Sequence, residues 1–354
     1  MTLMVRTVRA LRLGLIAGAA LVAVACGDSG GDATPMRSTT RVPLDDLGTG
    51  NFLGFIGGLY PNGSNVLPAA HAAEGAARAR MIEPLDTAGI PSLNGNYVMV
   101  SIGMSNTTQE FCSQSGLEPC DAWTFRGQAD ADPAVNTTTL AIVNGAEGGK
   151  TAAAWDSAMD DMYDVVRDQR LFPRGLSEPQ VQIGWVKVAN ADPVSSLPAT
   201  NADAYALEAS IGNIVRAMRT RYPNLKMVFL SNRIYAGYAS TTVNPEPYAY
   251  ESGFAAKWAI EAQIAQMAGA PADARAGDLN YETVAPWIAW GPNLWADGTH
   301  PRSDGLTWVA ADFDAADGMH PAQSGEQKVG AMLLSFFKTS PQTNCWFLAV
   351  ATCP

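Results

Sequence analysis

From Tyr97 onward, short apolar runs alternate with longer stretches in which apolar residues recur at helical spacing. Residues 97–102, 139–143, 181–188 and 226–230 are apolar and of strand length. Between and beyond them, residues 151–171, 201–221 and 251–267 read as helices, and residues 69–81 as an earlier one. Strands separated by helices predict a parallel sheet covered on both faces: a three-layer α/β/α sandwich with a mostly parallel central sheet. Ligands of such sheets lie beyond the carboxyl ends of the strands, so the residues that follow each strand are the first candidates for chemistry.

Upstream the pattern is different. Arg6, Arg9 and Arg12 precede an apolar run from Leu13 to Ala25, short for a bilayer span and of the length of a signal-peptide core. The run ends in Ala23-Val24-Ala25-Cys26, which is similar to a bacterial lipobox with Ala23 in place of the usual Leu. In that reading Cys26 is lipidated and becomes the first mature residue, anchoring the chain to a membrane. Cleavage by an ordinary signal peptidase after the same A-x-A, leaving Cys26 a free thiol, is the alternative. Both imply export to the cell envelope. Residues 26–45 then form a small, polar, aperiodic tether. Residues 46–354 form a single domain with an amino-terminal extension, 46–96, and a disulfide-closed carboxyl tail.

Composition narrows the function classes. With 47% hydrophobic and 16% charged residues among 354, the chain is globular rather than disordered. Its formal charge is −11, and removal of residues 1–25 takes away three Arg, leaving 20 basic against 34 acidic side chains. Nucleic-acid binding through phosphate neutralisation is therefore not expected. Apart from Cys26, the cysteines fall as two equally spaced pairs, Cys112 with Cys120 and Cys345 with Cys353. Four cysteines allow three connectivities; local pairing in an oxidising compartment is the preferred one.

Several motifs lose their force in context. Gly27-Asp28-Ser29-Gly30-Gly31 matches G-x-S-x-G but lies in the tether, with neither strand nor helix beside it. Gly145 to Thr151 resembles a P-loop one residue too short to wrap phosphates. The only histidines are His71, His300 and His320, without H-E-x-x-H or clustered cysteines, so neither a metal site nor any other cofactor is expected. The acidic stretch from Asp297 to Asp317 reads as a solvated loop rather than a calcium site.

One constellation remains. D-G-x-H-P occurs twice, at Asp297–Pro301 and at Asp317–Pro321. An aspartate three residues before a histidine can hold the imidazole in one tautomer and stabilise its protonated form during general base catalysis. After His320 comes Ser324-Gly325-Glu326-Gln327, a capping box, followed by apolar residues at helical spacing, whereas a turn follows His300. A catalytic base needs rigid support, so His320 is the candidate. The nucleophile should follow a strand, and Ser105 does, with Gly103 two residues before it to permit a tight turn.

Gly103-Met104-Ser105-Asn106 resembles the G-D-S-x block of the SGNH (GDSL-like) hydrolases, with Met104 in place of Asp. Asp317-x-x-His320 resembles their terminal block, and the chain order is theirs. The resemblance covers residues 97–338 and implies an SGNH-hydrolase fold and a serine esterase without cofactor. By the same resemblance Gly149, opening a helix, and Asn190 would join the Ser105 N–H as oxyanion donors, with Asn144 as the alternative to Asn190. Implied substrates are small-molecule or glycan esters, for which Trp287, Trp290, Trp295 and Trp308 could offer stacking faces; core packing is their other reading. His71 is expected to be structural, though the pocket lining is its alternative. A monomer is expected. The competing function is a catalytically impaired glycan-binding surface lipoprotein of the same fold; a calcium-dependent adhesion protein is a third.

Overall fold

The computed structural model describes residues 40–351 and Cys353. Its centre is a sheet of five strands: β1 (Tyr97–Gly103), β2 (Leu140–Asn144), β3 (Val181–Lys187), β4 (Met227–Leu230) and β5 (Trp287–Trp290). All five are buried along their whole length. Strands without alternating polar positions need cover on both faces. Val98, Val100, Ile102, Val228, Leu230 and Ile288 face one layer, whereas Met99, Ile183, Trp185, Phe229 and Trp287 face the other.

Among the described residues the longer helices supply much of the two layers: α1 (Ala69–Ala79), α2 (Ser105–Phe111), α3 (Phe125–Ala131), α4 (Asp203–Arg221), α5 (Tyr248–Met267) and α6 (Gln323–Thr339). Ile211 and Ile214 of α4 and Phe254 and Ile260 of α5 join the first layer. Ala79 of α1, Phe111 of α2, Phe125 of α3 and Val329 and Leu333 of α6 join the second. The strands run in the order β2-β1-β3-β4-β5, every pairing parallel. This is the three-layer α/β/α sandwich expected from the sequence, with the flavodoxin-like strand order. After β1 the chain moves out to one side of it and then to the other, so the carboxyl end of β1 is the topological switch point.

The structure departs from the sequence reading in specific places. Residues 151–160 are not helical: a 3-10 turn, Ala152–Ala154, is followed by loop before the helical segment that begins at Asp161. Ala152 donates its N–H to the Ala189 carbonyl, and Ser157 N–H turns to the Asp160 carboxylate, so these amides are committed away from a helix. Gly149 consequently opens no helix. The capping box does not form: α6 begins at Gln323, and Ser324 Oγ instead bonds the Ala311 carbonyl and Asp312 while Glu326 accepts from Trp123 Nε1. The end of the supposed tether is folded, with Leu44 in the core and the Val42 carbonyl accepting from the Tyr250 hydroxyl.

Cys112 is bonded to Cys120 and Cys345 to Cys353. Among the described residues no helix is long and apolar enough to cross a membrane. The signal-peptide and lipobox reading, with Cys26, and the decoy at Ser29 lie outside the described residues.

Candidate active site

Three side chains from opposite ends of the described chain meet at the switch point. Ser105 Oγ is 2.7 Å from His320 Nε2, and His320 Nδ1 is 2.5 Å from Asp317 Oδ2. Ser105 is the first residue of α2, directly after β1. Gly103 allows that turn by close approach, since a Cβ there would stand 2.2 Å from the Lys187 carbonyl oxygen of β3. Thr107 Oγ1 donates to that same carbonyl, at 2.7 Å, which fixes the first turn of α2 against the sheet.

The histidine is carried by a closed loop rather than by a capped helix. Asp314 N–H donates to the His320 carbonyl, and Gly318 N–H to the Asp314 carbonyl. Gly318 has φ 64°, and a Cβ on it would lie 2.0 Å from the Tyr238 carbonyl oxygen. Ser240 N–H, in the segment after β4, donates to the Asp317 carbonyl. Within the loop, Asp317 Oδ1 accepts the N–H groups of Met319 and His320, leaving Oδ2 for the imidazole. Desolvation pushes the Asp317 carboxyl up, but the bonds from the His320 ring and the two backbone amides outweigh it and hold the group below the usual carboxylate range. Asp317 is therefore ionised at neutral pH. With Nδ1–H committed to that carboxylate, Nε2 is left to accept the Ser105 hydroxyl proton.

The other D-G-x-H-P copy, at Asp297–Pro301, has no such setting. The His300 side chain is 83% exposed, against 32% for His320, and its Nδ1 lies 3.6 Å from Asp297 Oδ2.

Asn106 takes part although the sequence assigned it no role. It is fully buried, and its Nδ2 donates to the Met319 carbonyl at 3.0 Å, tying the helix of Ser105 to the loop of His320. Its position directly after Ser105 was the one available signal; the partner, far away in sequence, was not.

The expected oxyanion donors are less assembled. Gly149 is exposed, with φ 75°, in the loop after β2. That loop is held against the turn before Ser105 by Glu147 N–H, which donates to the Gly103 carbonyl at 3.1 Å. Asn190 is half-buried after β3 and donates Nδ2 to Asp203 Oδ1 at 2.9 Å. Among the described residues, no hydrogen bond joins Gly149 or Asn190 to Ser105 or His320. Asn144 is fully committed elsewhere: its amide nitrogen bonds Thr108 Oγ1 and the carbonyls of Gly116 and Ala146, and its oxygen accepts from Ser101.

The tryptophans are core. Trp287, Trp290, Trp295 and Trp308 are buried, and each indole N–H is spent on a protein acceptor: the carbonyls of His71, Leu59 and Leu294 and the Glu246 carboxylate. None offers a face to a sugar. His71 is structural as well. It stacks on Trp287 and bonds the Ile288 carbonyl through Nε2, and burial lowers its pKa to about 4, which keeps it neutral.

No family model matches the sequence, and none of the curated proteins is similar to it in sequence. Solved structures are similar in fold. A carbohydrate esterase family 2 enzyme with a carbohydrate-binding domain, from Corynascus thermopiles (Myceliophthora fergusii), is 13% identical over 69% of this chain and 66% of its own, with a TM-score of 0.36. A family two carbohydrate esterase from Cellvibrio japonicus is 11% identical over 70% of this chain and 62% of its own, at 0.34. The extracellular lipase of Streptomyces rimosus is 14% identical over 68% of this chain and 99% of its own, also at 0.34. The match thus spans just under two thirds of the two carbohydrate esterases, and at these identities the likeness is one of fold alone.

Proposed function

We propose that the protein is an exported serine esterase that hydrolyses carboxylic esters through an acyl-enzyme. The observation that carries this reading is the continuous chain Ser105 Oγ, His320, Asp317 at the carboxyl end of β1.

In the acylation step Ser105 Oγ bonds to the ester carbonyl carbon while its proton passes to His320 Nε2. Asp317 stabilises the imidazolium that results. Collapse of the tetrahedral intermediate breaks the bond to the alcohol, which leaves with the proton from Nε2. Water then attacks the acyl-enzyme by the same route, releasing the acid and restoring Ser105. The oxyanion is held by the N–H groups of Ser105 and Gly149 and by the second amide hydrogen of Asn190, each well-placed donor contributing about 3–4 kcal/mol. No cofactor takes part.

Short acyl esters, acetyl groups on carbohydrates among them, are the proposed substrates. A second reading, a glycan-binding protein with an impaired oxyanion hole, is favoured only by the engagement of Asn190 with Asp203. A fluorophosphonate probe separates the two. It should phosphonylate Ser105 in the native protein and fail to react with Ser105→Ala. His320→Ala should abolish both labelling and turnover of a short-chain nitrophenyl ester, and His300→Ala should leave them within about twofold. Asp317→Asn should lower kcat on the order of 10⁴-fold, because an amide cannot stabilise imidazolium. No labelling of the native protein, or labelling that survives Ser105→Ala, overturns the enzyme reading.

A further inference from the structure

Directly behind the nucleophile the fold buries charge that the triad does not use. Lys187, the last residue of β3, and Glu110 of α2 form an ion pair with both side chains fully buried, Nζ lying 2.5 Å from Oε1. Arg233, three residues beyond β4, is 1% exposed. Its Nη1 lies 3.6 Å from the sulfur of Met104, the residue before Ser105, and its Nε and Nη2 have no hydrogen-bond partner. Two carboxylates are in electrostatic range, and neither hydrogen-bonds the guanidinium. Glu110 is paired with Lys187, and Glu246 spends its oxygens on the N–H groups of Ala236 and Tyr250 and on the Trp295 indole. Burial accordingly depresses Arg233, ahead of the opposing pull of those carboxylates.

A buried guanidinium with unpaired N–H groups is costly to the fold, and an apolar residue of similar volume is commonly neutral or stabilising in such a place. A stability cost set against a nucleophile calls for a functional account. A thioether is a weak acceptor, so Met104 gives the guanidinium only a poor partner on the side facing the turn that presents Ser105.

We propose that Arg233 is a positioning residue for the reaction at Ser105: its buried positive charge, lying against Met104, favours the anionic tetrahedral state over the neutral ground state. The field acts without contact with the substrate. It should therefore alter the rate of bond formation at Ser105 and leave substrate binding unchanged. This inference rests on the reading of Ser105 as nucleophile.

The test compares the native protein with Arg233→Met, Arg233→Gln and Arg233→Lys in three measurements: fluorophosphonate labelling rate, kcat and KM on a short-chain nitrophenyl ester, and Tm. The neutral variants should lose roughly tenfold in labelling rate and kcat with KM unchanged, an effect of the size expected for one charge at moderate distance in a protein interior. Their Tm should equal or exceed the native value. Arg233→Lys, which keeps the charge, should stay within about threefold of native. Native rates in the neutral variants overturn the inference and leave the nucleophile standing. Failure of both neutral variants to fold, or a lowered Tm that tracks the lost activity, also overturns it, because the charge would then be held for stability. Unreactive native protein instead overturns the nucleophile reading on which the inference rests.

Discussion

Asn106 links the helix of Ser105 to the loop of His320, and it does so with one bond. Its Nδ2 donates to the Met319 carbonyl, one residue before His320, inside a region from which water is excluded. Truncation to Ala would leave that carbonyl without its donor, at about 1–3 kcal/mol of stability. The chemical consequence should be larger than the thermodynamic one, since a misplacement of about 1 Å at a reacting centre can cost on the order of 10²-fold in rate. Asn106→Ala should therefore lower kcat by roughly 10- to 100-fold with little change in KM. Asn106→Asp should be worse, because a carboxylate set against a carbonyl oxygen repels where the amide donated. Steady-state kinetics on a nitrophenyl ester, beside thermal melts, would decide; native kcat in Asn106→Ala would remove the residue from the site's machinery. The residues legible in the sequence were those whose chemistry is local. Asp317 and His320 are three apart, and Ser105 follows a strand through Gly103. Asn106 and Arg233 act through partners more than a hundred residues away, and nothing in their own neighbourhood reveals it.

At the scale of elements, long buried strands were legible and irregular ones were not. β1 to β4 are apolar runs within one residue or so of the expected bounds, because an all-buried parallel strand carries little else. β5 is not among the expected strands: Trp287-Ile288-Ala289-Trp290 is only four residues long, and its tryptophans read equally as core or as stacking faces. Apolar periodicity over 151–171 predicted one helix where Ala152 and Ser157 divert their amides to Ala189 and Asp160, contacts that periodicity does not encode. The buried start of α5 adds a testable term. Burial raises Glu251 to about 7, against the lowering effect of the Leu197 N–H that both its oxygens accept. A carboxyl raised in the folded state binds its proton more tightly there than in the unfolded chain. Its contribution to stability is therefore full below about 4.5, and it is lost as pH rises through about 7. Glu251→Gln keeps an oxygen for Leu197 and never ionises. Its Tm should exceed the native value at pH 8, by the equivalent of at most about 3 kcal/mol, and the two should converge near pH 4. A variant less stable than native at pH 8 would show that the ionised carboxylate is the favoured partner of Leu197.

For the whole molecule, the questions are where the folded body begins and whether acyl groups on Cys26 hold it to a membrane. Leu44 is in the core, and the Gly58 N–H donates to its carbonyl. Asp45 accepts from Asn293 Nδ2 and lies 3.5 Å from the buried guanidinium of Arg302, while Asp46 accepts the Ser303 N–H. A chain starting at Arg37 keeps all of these contacts. One starting at Gly48 loses the burial of Leu44, about 1.5–3 kcal/mol, and part of the charge compensation of Arg302. The Arg37 form should therefore match the full chain in Tm and in kcat, whereas the Gly48 form should melt several degrees lower. Charge bears on the anchor. From residue 26 onward the chain has 34 acidic and 20 basic side chains, so anionic lipid repels rather than attracts it. Membrane association of the full chain should then come from acyl groups on Cys26 and resist high salt, which would disperse an electrostatic contact. Intact mass of the membrane fraction should show a diacylglycerol adduct beginning at Cys26, and both Cys26→Ser and the Arg37 form should be recovered unmodified in the soluble fraction. A mature chain that begins beyond Cys26, or one released from the membrane by salt alone, would refute lipid anchoring and leave the folded body and the arrangement around Ser105 as they stand.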